Sequence, residues 1–335
     1  MSLPSFEVIR PRTLDAAVDA FRQFGEDAQL VAGGTDLIPS MKQGLFSPAV
    51  LLDLKGICDL DFIRFSAERG LEIGALTRIT TMVESRVIAK DFPVLHEAAH
   101  TIASPLLRNM GTLGGNLCLD TRCLYYNQSS FWRDSLGCCI KKDGTVCHVA
   151  PGGQKCWAVF SGDTAPALLA LGATIQLAGP RGQRELPLSE FYVNDGIIRM
   201  AKSRDEIVTG VRVTASTAGW SGTYKKLRIR QSIDYPLVGV AVTMKKDAEG
   251  NCLEARVAVN AVNPAPRLVK AAELLKGRPY DPGLIELVAH DAIRTGKPLR
   301  TSASTPEYRR QMVRVFVRRA LREVWGNGHL AASGD

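Results

Sequence analysis

The 335-residue sequence lacks any apolar run that approaches the roughly 20 residues a transmembrane helix needs. The N-terminus also lacks the positively charged segment, apolar stretch and small-residue cleavage site of a secretory signal. These absences predict a cytoplasmic protein that makes no contact with a membrane. Cysteines in that reducing compartment rarely form disulfide bonds, so none is expected.

Basic segments interleaved with aromatic residues are missing as well. The net charge is +8, from 42 Lys and Arg against 34 Asp and Glu residues, and aromatics make up only 7% of the chain. A nucleic-acid platform combines a basic groove with stacking aromatic rings, so no nucleic-acid binding is expected. Docking of an acidic protein partner explains the charge at least as well. The basic C-terminal helix offers one candidate contact patch, formed by Arg314, Arg318, Arg319 and Arg322.

The order of predicted elements indicates an α+β fold, and the length indicates two or three packed units. The first part of the chain alternates short apolar strands with helices, beginning with an amphipathic helix capped by Thr13. From Thr223 onwards, longer β-branched strands alternate with helices. The Ser-, Thr- and Gly-rich stretch Ala215–Gly222 is the predicted boundary. The predicted strands include 28–32, 49–54, 71–75, 173–177, 237–244 and 255–262, and the predicted helices include 37–42, 91–103, 165–171, 265–275, 282–292 and 306–325.

Six of the eight cysteines lie between positions 118 and 156, and in a reducing compartment such clustering indicates metal ligation. The paired CxxC knuckles of zinc ribbons and the short-spaced ferredoxin run are both absent. The wide spacing suits an iron–sulfur cluster held by one long loop as well as it suits a zinc ion. Because Cys138 and Cys139 are adjacent, one of them is expected to be a bystander, and Cys118 is spare if four ligands suffice. His148 is an alternative ligand, although four cysteines are the common iron–sulfur set.

Two glycine-rich segments each follow an extended or helical segment and open a new helix. They are Gly33–Asp36 and Thr112–Asn116. Consecutive glycines let the backbone approach an anion, and the start of a helix adds partial positive charge. Two such loops favour a pyrophosphate held between them. Neither loop matches the GxGxxG pattern, so a Rossmann domain is not expected.

The segment His96–His100 has the HExxH spacing of zinc proteases, with Glu97 in the position of the general base. No extended metzincin pattern follows it, and no third ligand stands nearby in the sequence. The two histidines are therefore interpreted as a chance pair on a helix, and no catalytic residue is assigned to the chain.

Several segments together resemble the FAD-binding subunit of the molybdenum hydroxylases, the xanthine dehydrogenase and carbon monoxide dehydrogenase flavoprotein family. The resemblance covers nearly the whole chain in order. It rests on Phe6–Pro11, Val31–Pro39, Leu71–Thr77, Ile102–Asn109, Thr112–Asn116, Ser161–Pro166, Tyr224–Arg230 with Asp234, and Asn263–Arg267.

The resemblance implies an FAD-binding domain of two subdomains at residues 1–218 and a C-terminal α+β flavoprotein domain at residues 222–330. It implies that Gly33, Gly34, Thr35 and Asp36 line the FAD pyrophosphate, flanked by the cofactor-binding residues Val31, Ala32 and Leu37. It places Ala103, Ser104, Thr112, Gly114 and Asn116 on the facing loops. It also places Asp163 at the ribityl or adenosine side and Lys226 near the isoalloxazine. Without the resemblance, Asp163 reads as a helix cap and Lys226 as a solvated strand charge.

The chain departs from the family in the length of one segment. Ordinary members pass from the glycine loop to the aspartate in about ten residues, whereas this chain takes 47, from Asn116 to Asp163, and loops this long are usually functional or disordered. The insertion, at about residues 118–158, resembles that of the β subunits of the 4-hydroxybenzoyl-CoA reductase branch. The resemblance implies that a [4Fe–4S] cluster is bound there by Cys123, Cys139, Cys147 and Cys156.

That branch implies an anaerobic electron-transfer subunit of aromatic degradation. Electrons would pass from a low-potential ferredoxin through the cluster and FAD to [2Fe–2S] and molybdenum centres on partner subunits, in a heterohexamer built as a dimer of heterotrimers. A conventional molybdenum hydroxylase flavin subunit, which delivers electrons to NAD or a quinone, is the second hypothesis. A third hypothesis makes the cysteine segment a structural zinc clip.

Overall fold

The structure is a computed structural model that describes residues 2–326. The N-terminal part forms a three-stranded parallel sheet in the order β1-β3-β2. Its strands are β1 (Glu7–Ile9), β2 (Ala28–Val31) and β3 (Val50–Asp53), and its helices are α1 (Leu14–Phe24) and α2 (Leu37–Lys42). Helix α1 begins as predicted, because the Thr13 hydroxyl accepts a hydrogen bond from the Ala16 amide at 3.2 Å.

A five-stranded antiparallel sheet follows, in the order β4-β5-β8-β6-β7. Its strands are β4 (Ile63–Ser66), β5 (Gly70–Gly74), β6 (Thr174–Gly179), β7 (Gly182–Pro187) and β8 (Ile207–Val213). The helices of this part are α3 (Ile79–Glu84), α4 (Arg86–Asp91), α5 (Pro93–His100), α6 (Pro105–Arg108), α7 (Leu113–Leu117), α8 (Ser130–Ser135), α9 (Thr164–Ala170) and α10 (Leu188–Phe191). The largest hydrophobic core lies between this sheet and helices α3, α5 and α9, around Phe92 and Phe160.

The C-terminal part is a four-stranded antiparallel sheet, in the order β12-β11-β10-β9, covered by two helices. Its elements are β9 (Ser221–Leu227), β10 (Val238–Lys246), β11 (Cys252–Asn260), β12 (Arg267–Leu268), α11 (Pro282–Thr295) and α12 (Pro306–Gly326). Valines on one face of β10 and β11 pack against α12, with Trp325 fully buried among them. The predicted C-terminal domain runs to residue 330, and its residues 327–330 lie outside the described residues.

Two predicted helices are wrong in detail, and proline is the reason in both. The helix predicted over 265–275 is instead strand β12 followed by the 3-10 turn Lys270–Leu275, since Pro266 has no amide to donate and disfavours a helical residue before it. The helix predicted over 91–103 is divided at Phe92 (φ −137°, ψ 57°), directly before Pro93, and ends at His100. Among residues 2–326, no helix is both long enough and apolar enough to cross a bilayer.

Candidate flavin site and cysteine cluster

A cleft of about 690 Å³ opens at the carboxyl end of β2, and its walls come from both glycine loops and from the β9–β10 connection. Twelve of the fourteen residues predicted to bind the cofactor line it. They are Val31, Ala32, Gly33, Gly34, Thr35, Asp36, Leu37, Ala103, Thr112, Gly114, Asn116 and Asp163. Ser104 and Lys226 are not part of the lining. The Ser104 hydroxyl instead caps α6 by accepting from the Leu107 amide at 3.4 Å.

The two glycine loops approach their neighbours too closely for side chains. A Cβ atom on Gly33 would lie 2.0 Å from the Met110 carbonyl oxygen, and one on Gly114 would lie 2.9 Å from both the Cβ and the carbonyl oxygen of Ala75. Gly34 has a φ of +70°, which side-chain-bearing residues rarely adopt. Gly33 and Gly114 therefore let both loops pack closely against their neighbours at the cleft, and Gly34 lets the first loop turn in a way that other residues rarely can.

Two non-glycine residues with positive φ meet at the cleft. Ala103 has φ +43° and Ile233 has φ +49°, and the Ile233 amide donates a hydrogen bond to the Ala103 carbonyl at 3.0 Å. A β-branched residue in this region is a true conformational outlier, and such strain is concentrated at functional sites. The β9–β10 connection is thus held over the cleft by a specific contact, and its lining residue Ile233 was not predicted from the sequence.

Asp36 lies in a network that also was not predicted. Its carboxylate accepts from the Arg122 guanidinium at 3.1 Å and from the Tyr235 hydroxyl at 3.2 Å, and Arg122 stacks on the Tyr235 ring at 4.0 Å. Burial raises the pKa of Asp36, while Arg122 opposes the rise and Asp120 adds to it. Arg122 directly precedes Cys123, so this network joins the glycine loop to the cysteine segment. That adjacency was the one sequence signal that could have identified Arg122.

Asp163 and Lys226 form a buried ion pair. Lys226 Nζ lies 2.8 Å from Asp163 Oδ2, the Tyr224 hydroxyl donates to Asp163 Oδ1 at 2.7 Å, and the two charged side chains are 2% and 5% exposed. Burial raises the pKa of Asp163, and Lys226 is the main influence that opposes this. Asp163 does not cap α9 with its side chain, and Lys226 is not a solvated charge. Lys226 therefore lies behind the cleft wall and is joined to it by its ion pair with the lining residue Asp163.

The four predicted cluster ligands, Cys123, Cys139, Cys147 and Cys156, are all buried, whereas Cys118 and Cys138 are only half-buried. Three of the four pack in one small core with Tyr126 and Leu45. Burial raises the pKa of Cys123 to about 12, and the nearby thiols of Cys156, Cys139 and Cys147 contribute to that rise. Burial likewise raises the pKa of Cys156 to about 11, against the effect of the nearby Lys141 ammonium. Three of the four thiols therefore share one small buried core, and the fourth, Cys147, is buried as well.

The remaining cysteine-segment candidates are engaged elsewhere. Cys138 has φ +58° and donates its thiol to Asp134 at 3.4 Å, and Cys118 lines the cleft. A ring nitrogen of His148 contacts the Cys138 carbonyl oxygen. Among residues 2–326, no group of three or more His, Cys, Asp or Glu side chains is placed to hold a metal ion.

The HExxH segment has a structural role. The carboxylate of Glu97 accepts from the Tyr224 amide at 2.8 Å and from the Thr223 hydroxyl at 2.7 Å, which ties α5 to β9. His96 contacts the Val83 carbonyl oxygen at 3.1 Å, and the ring centres of the two histidines are 6.4 Å apart. The carboxylate that a protease would need as a base is thus committed to holding a strand.

Comparisons with known proteins agree with this architecture. Residues 4–215 match the FAD binding domain in molybdopterin dehydrogenase, and residues 222–324 match the CO dehydrogenase flavoprotein C-terminal domain. The chain is 30% identical to the carbon monoxide dehydrogenase medium chain of Hydrogenophaga pseudoflava, over 96% of this chain and 98% of that protein. It is 33% identical to an aldehyde oxidoreductase FAD-binding subunit of Escherichia coli, over 77% of this chain and 81% of that protein.

Solved structures give the same result. A chain from a crystal structure of a cyanide-inactivated Cu,Mo-CO dehydrogenase aligns with a TM-score of 0.81 and 28% identity, over 97% of this chain and 99% of that chain. The fold and the cleft thus define an FAD-binding subunit of an oxidoreductase. The chain belongs to the molybdenum hydroxylase flavoprotein family, which includes the carbon monoxide dehydrogenase medium chains.

Proposed function

We propose that this chain is the electron-transfer subunit of a 4-hydroxybenzoyl-CoA reductase, carrying FAD and a [4Fe–4S] cluster. It would pass electrons from a low-potential ferredoxin towards [2Fe–2S] and molybdenum centres on partner subunits in the cytoplasm, within a dimer of heterotrimers. The observation that carries the proposal is the burial of four thiols in the inserted segment, three of which share one small core. Reductive dehydroxylation to benzoyl-CoA would take place on the molybdenum subunit, so no catalytic residue is assigned here.

The residues of the cleft fit FAD. A volume of about 690 Å³ lies within the range of about 300–1,000 Å³ that ligand sites occupy. Gly33, Gly34 and Gly114 would bring bare backbone to the pyrophosphate, while the Asp163–Lys226 pair would fix one wall of the cleft. When bound, FAD would supply one- and two-electron transfer. The protein's part is to bind it, orient it and exclude water.

The four thiols supply the ligand set of an iron–sulfur cluster. Zinc at about 2.3 Å from each sulfur would draw four sulfurs to within about 4 Å of one another, whereas a cube of iron and sulfide holds its ligands further apart. Cys123, Cys139, Cys147 and Cys156 are all buried and would supply the four thiolates that such a cluster commonly takes. Because the buried thiols hold their protons tightly, assembly would release protons, as metal binding to cysteine requires.

A conventional molybdenum hydroxylase flavin subunit is the second candidate. The names of the relatives favour it, since they are medium chains of carbon monoxide dehydrogenase and an FAD-binding subunit of an aldehyde oxidoreductase. In that case electrons would leave through NAD or a quinone. The cysteine segment favours the first candidate, because an outward flow from FAD does not need a further centre.

Turnover by the whole complex separates the two candidates. The chain is produced anaerobically with its partner subunits, and 4-hydroxybenzoyl-CoA is supplied with reduced ferredoxin, with NADH as the control donor. We expect benzoyl-CoA to form with ferredoxin only, and we expect Cys139→Ser to abolish this flow while Cys138→Ser retains it. Reduction of NAD during oxidation of an aldehyde or purine, without benzoyl-CoA formation, would instead establish the conventional role.

A further inference from the structure

Lys141 is a buried lysine inside the cysteine segment, with its side chain only 7% exposed. Its ammonium donates to Asp120 Oδ1 at 2.8 Å and to the carbonyl oxygen of Thr121 at 3.0 Å, and it contacts the Thr121 hydroxyl. It also lies 4.4 Å from the centre of the Tyr126 ring. A lysine buried this fully needs a reason, because removing an ammonium from water is costly unless nearby polar or anionic groups compensate for it.

One side of Lys141 faces the thiols. It follows Cys139 by two residues, and the backbone of Cys139 exchanges hydrogen bonds with Lys142 at 3.2 and 2.8 Å, which fixes the turn that carries Lys141. The Tyr126 ring beneath the ammonium belongs to the same small core as Cys123, Cys139 and Cys156.

The other side of Lys141 faces the flavin cleft. Asp120 and Arg199 both line the cleft, and Arg199 Nε lies 3.2 Å from the same Asp120 oxygen that Lys141 contacts. The Asp120 carboxylate therefore contacts two cations, Lys141 and Arg199, and these three side chains together carry a surplus positive charge. That surplus lies between the cysteine cluster and the cleft.

We propose that Lys141 is a positioning residue that stabilises the reduced state of the iron–sulfur centre and fixes its loop against the flavin cleft through Asp120. This inference rests on the proposed function. In the step concerned, one electron from a low-potential one-electron donor is added to the cluster and no bond is made or broken. The added negative charge is attracted by a buried cation, and net charge is one of the properties that set cluster potentials.

The test is an EPR-monitored redox titration of the purified complex, with dithionite as the reductant. Lys141→Gln removes the charge while keeping a donor for Asp120, and Lys141→Met removes both. We expect each to lower the equilibrium constant for cluster reduction about tenfold, which corresponds to a potential about 59 mV more negative for a one-electron couple. Lys141→Arg should restore the wild-type value. Lys142→Gln is the matched control, since Lys142 is 33% exposed and pairs with Asp143 at the surface.

Each outcome is decisive. Unchanged potentials in Lys141→Gln and Lys141→Met, with full iron content, would overturn the role of Lys141 and leave the proposed function standing. Loss of iron from both neutral variants would show a structural requirement only and would also overturn the effect on the potential. A wild-type protein without iron and sulfide would overturn the proposed function and this inference together.

Discussion

Single buried charges determine much of the candidate flavin site. The Lys226–Asp163 pair is almost completely buried and separated by 63 positions in the chain, so neither its existence nor its burial could be predicted from local sequence. Removing one partner of such a pair leaves the other charge buried without compensation, which is far more costly than losing the pair itself.

We therefore expect Lys226→Met to lower the free energy of unfolding by about 3–5 kcal/mol, measured by urea denaturation. Lys225→Met is the matched control on the same strand. Lys225 is 30% exposed and pairs with the half-exposed Glu323, so its loss should cost less than about 1 kcal/mol. The double variant Asp163→Asn/Lys226→Met should regain part of the loss. Equal effects of the Lys225 and Lys226 changes would contradict the buried-pair interpretation.

The glycine loops give a second prediction for a single residue. In Gly33→Ala, the new methyl group would collide with the Met110 backbone and push the two loops apart, so most of the bound FAD should be lost. FAD is measured by absorbance per protein after desalting. Gly152→Ala is the control, because a Cβ there meets nothing within 4 Å and φ is not in the positive region. Full flavin content in Gly33→Ala would show that the loop contact does not shape the site.

Pairs between elements set the response to acid. Arg184 on β7 binds both carboxylate oxygens of Glu206, the residue before β8, at 2.5 and 2.9 Å, and the Ser203 amide adds a bond at 2.7 Å. The hydrogen bonds from Arg184 lower the pKa of Glu206 from 4.5 to about 2. A carboxyl whose pKa is lower in the folded state stabilises the fold above its unfolded pKa, and this contribution is lost as pH falls towards the folded value.

As the pH falls from 6 to 2, the free energy of unfolding of the wild-type protein should accordingly decrease by about 1–2 kcal/mol more than that of Glu206→Gln. This value allows for the partial exposure of Arg184, which weakens the ion pair. Urea unfolding across that pH range provides the measurement. Glu185→Gln is the control within the same sheet, because Glu185 pairs with Arg212 at a more exposed position. Parallel pH profiles for wild type and Glu206→Gln would contradict the assignment.

Helices and strands could be predicted from the sequence where a local residue pattern determines them. The strands predicted at 28–32, 49–54 and 71–75 are confirmed with ends that differ by at most one residue, because short apolar runs and glycine turns are local properties of the sequence. The insertion of β8 between β5 and β6 was not predictable, since it pairs segments more than 130 residues apart. In the candidate flavin site, the two glycine loops were identified from the sequence. Arg122, Tyr235 and Lys141 were missed because their roles arise from contacts across the fold.

At the scale of the molecule, the cysteine segment joins the two halves of the chain. The Arg133 side chain donates to the carbonyls of Gln43 and Gly44 at the end of α2, while the Leu124 amide donates to the Thr301 carbonyl at 3.0 Å. Arg309, fully buried, in turn holds Thr301. Order in this segment is therefore coupled to both domains.

The basic face of α12 gives a prediction about assembly. Arg314, Arg318 and Arg322 all approach Glu286, at 3.2, 3.4 and 3.5 Å, so positive charge is in excess there. Replacing Arg318 and Arg322 by Gln should change the stability of the chain by less than about 1 kcal/mol while slowing association with an acidic partner subunit and weakening its salt dependence. Stopped-flow mixing with the partner subunits measures the rate. Arg181→Gln, at the exposed β6–β7 turn, is the control. If the Arg318/Arg322 variant associates as fast as the wild-type chain, the basic face of α12 does not contact the partner.

The most direct measurement is the iron and acid-labile sulfide content per FAD of the anaerobically purified protein, with low-temperature EPR of the reduced sample. We expect about four iron atoms and about four sulfides per FAD, together with the signal of a reduced cluster. Serine at Cys123, Cys139, Cys147 or Cys156 should remove both the signal and the iron while leaving FAD bound, and serine at Cys118 or Cys138 should keep all three. Stoichiometric zinc without sulfide in the wild-type protein would contradict the cluster and the electron-entry role with it.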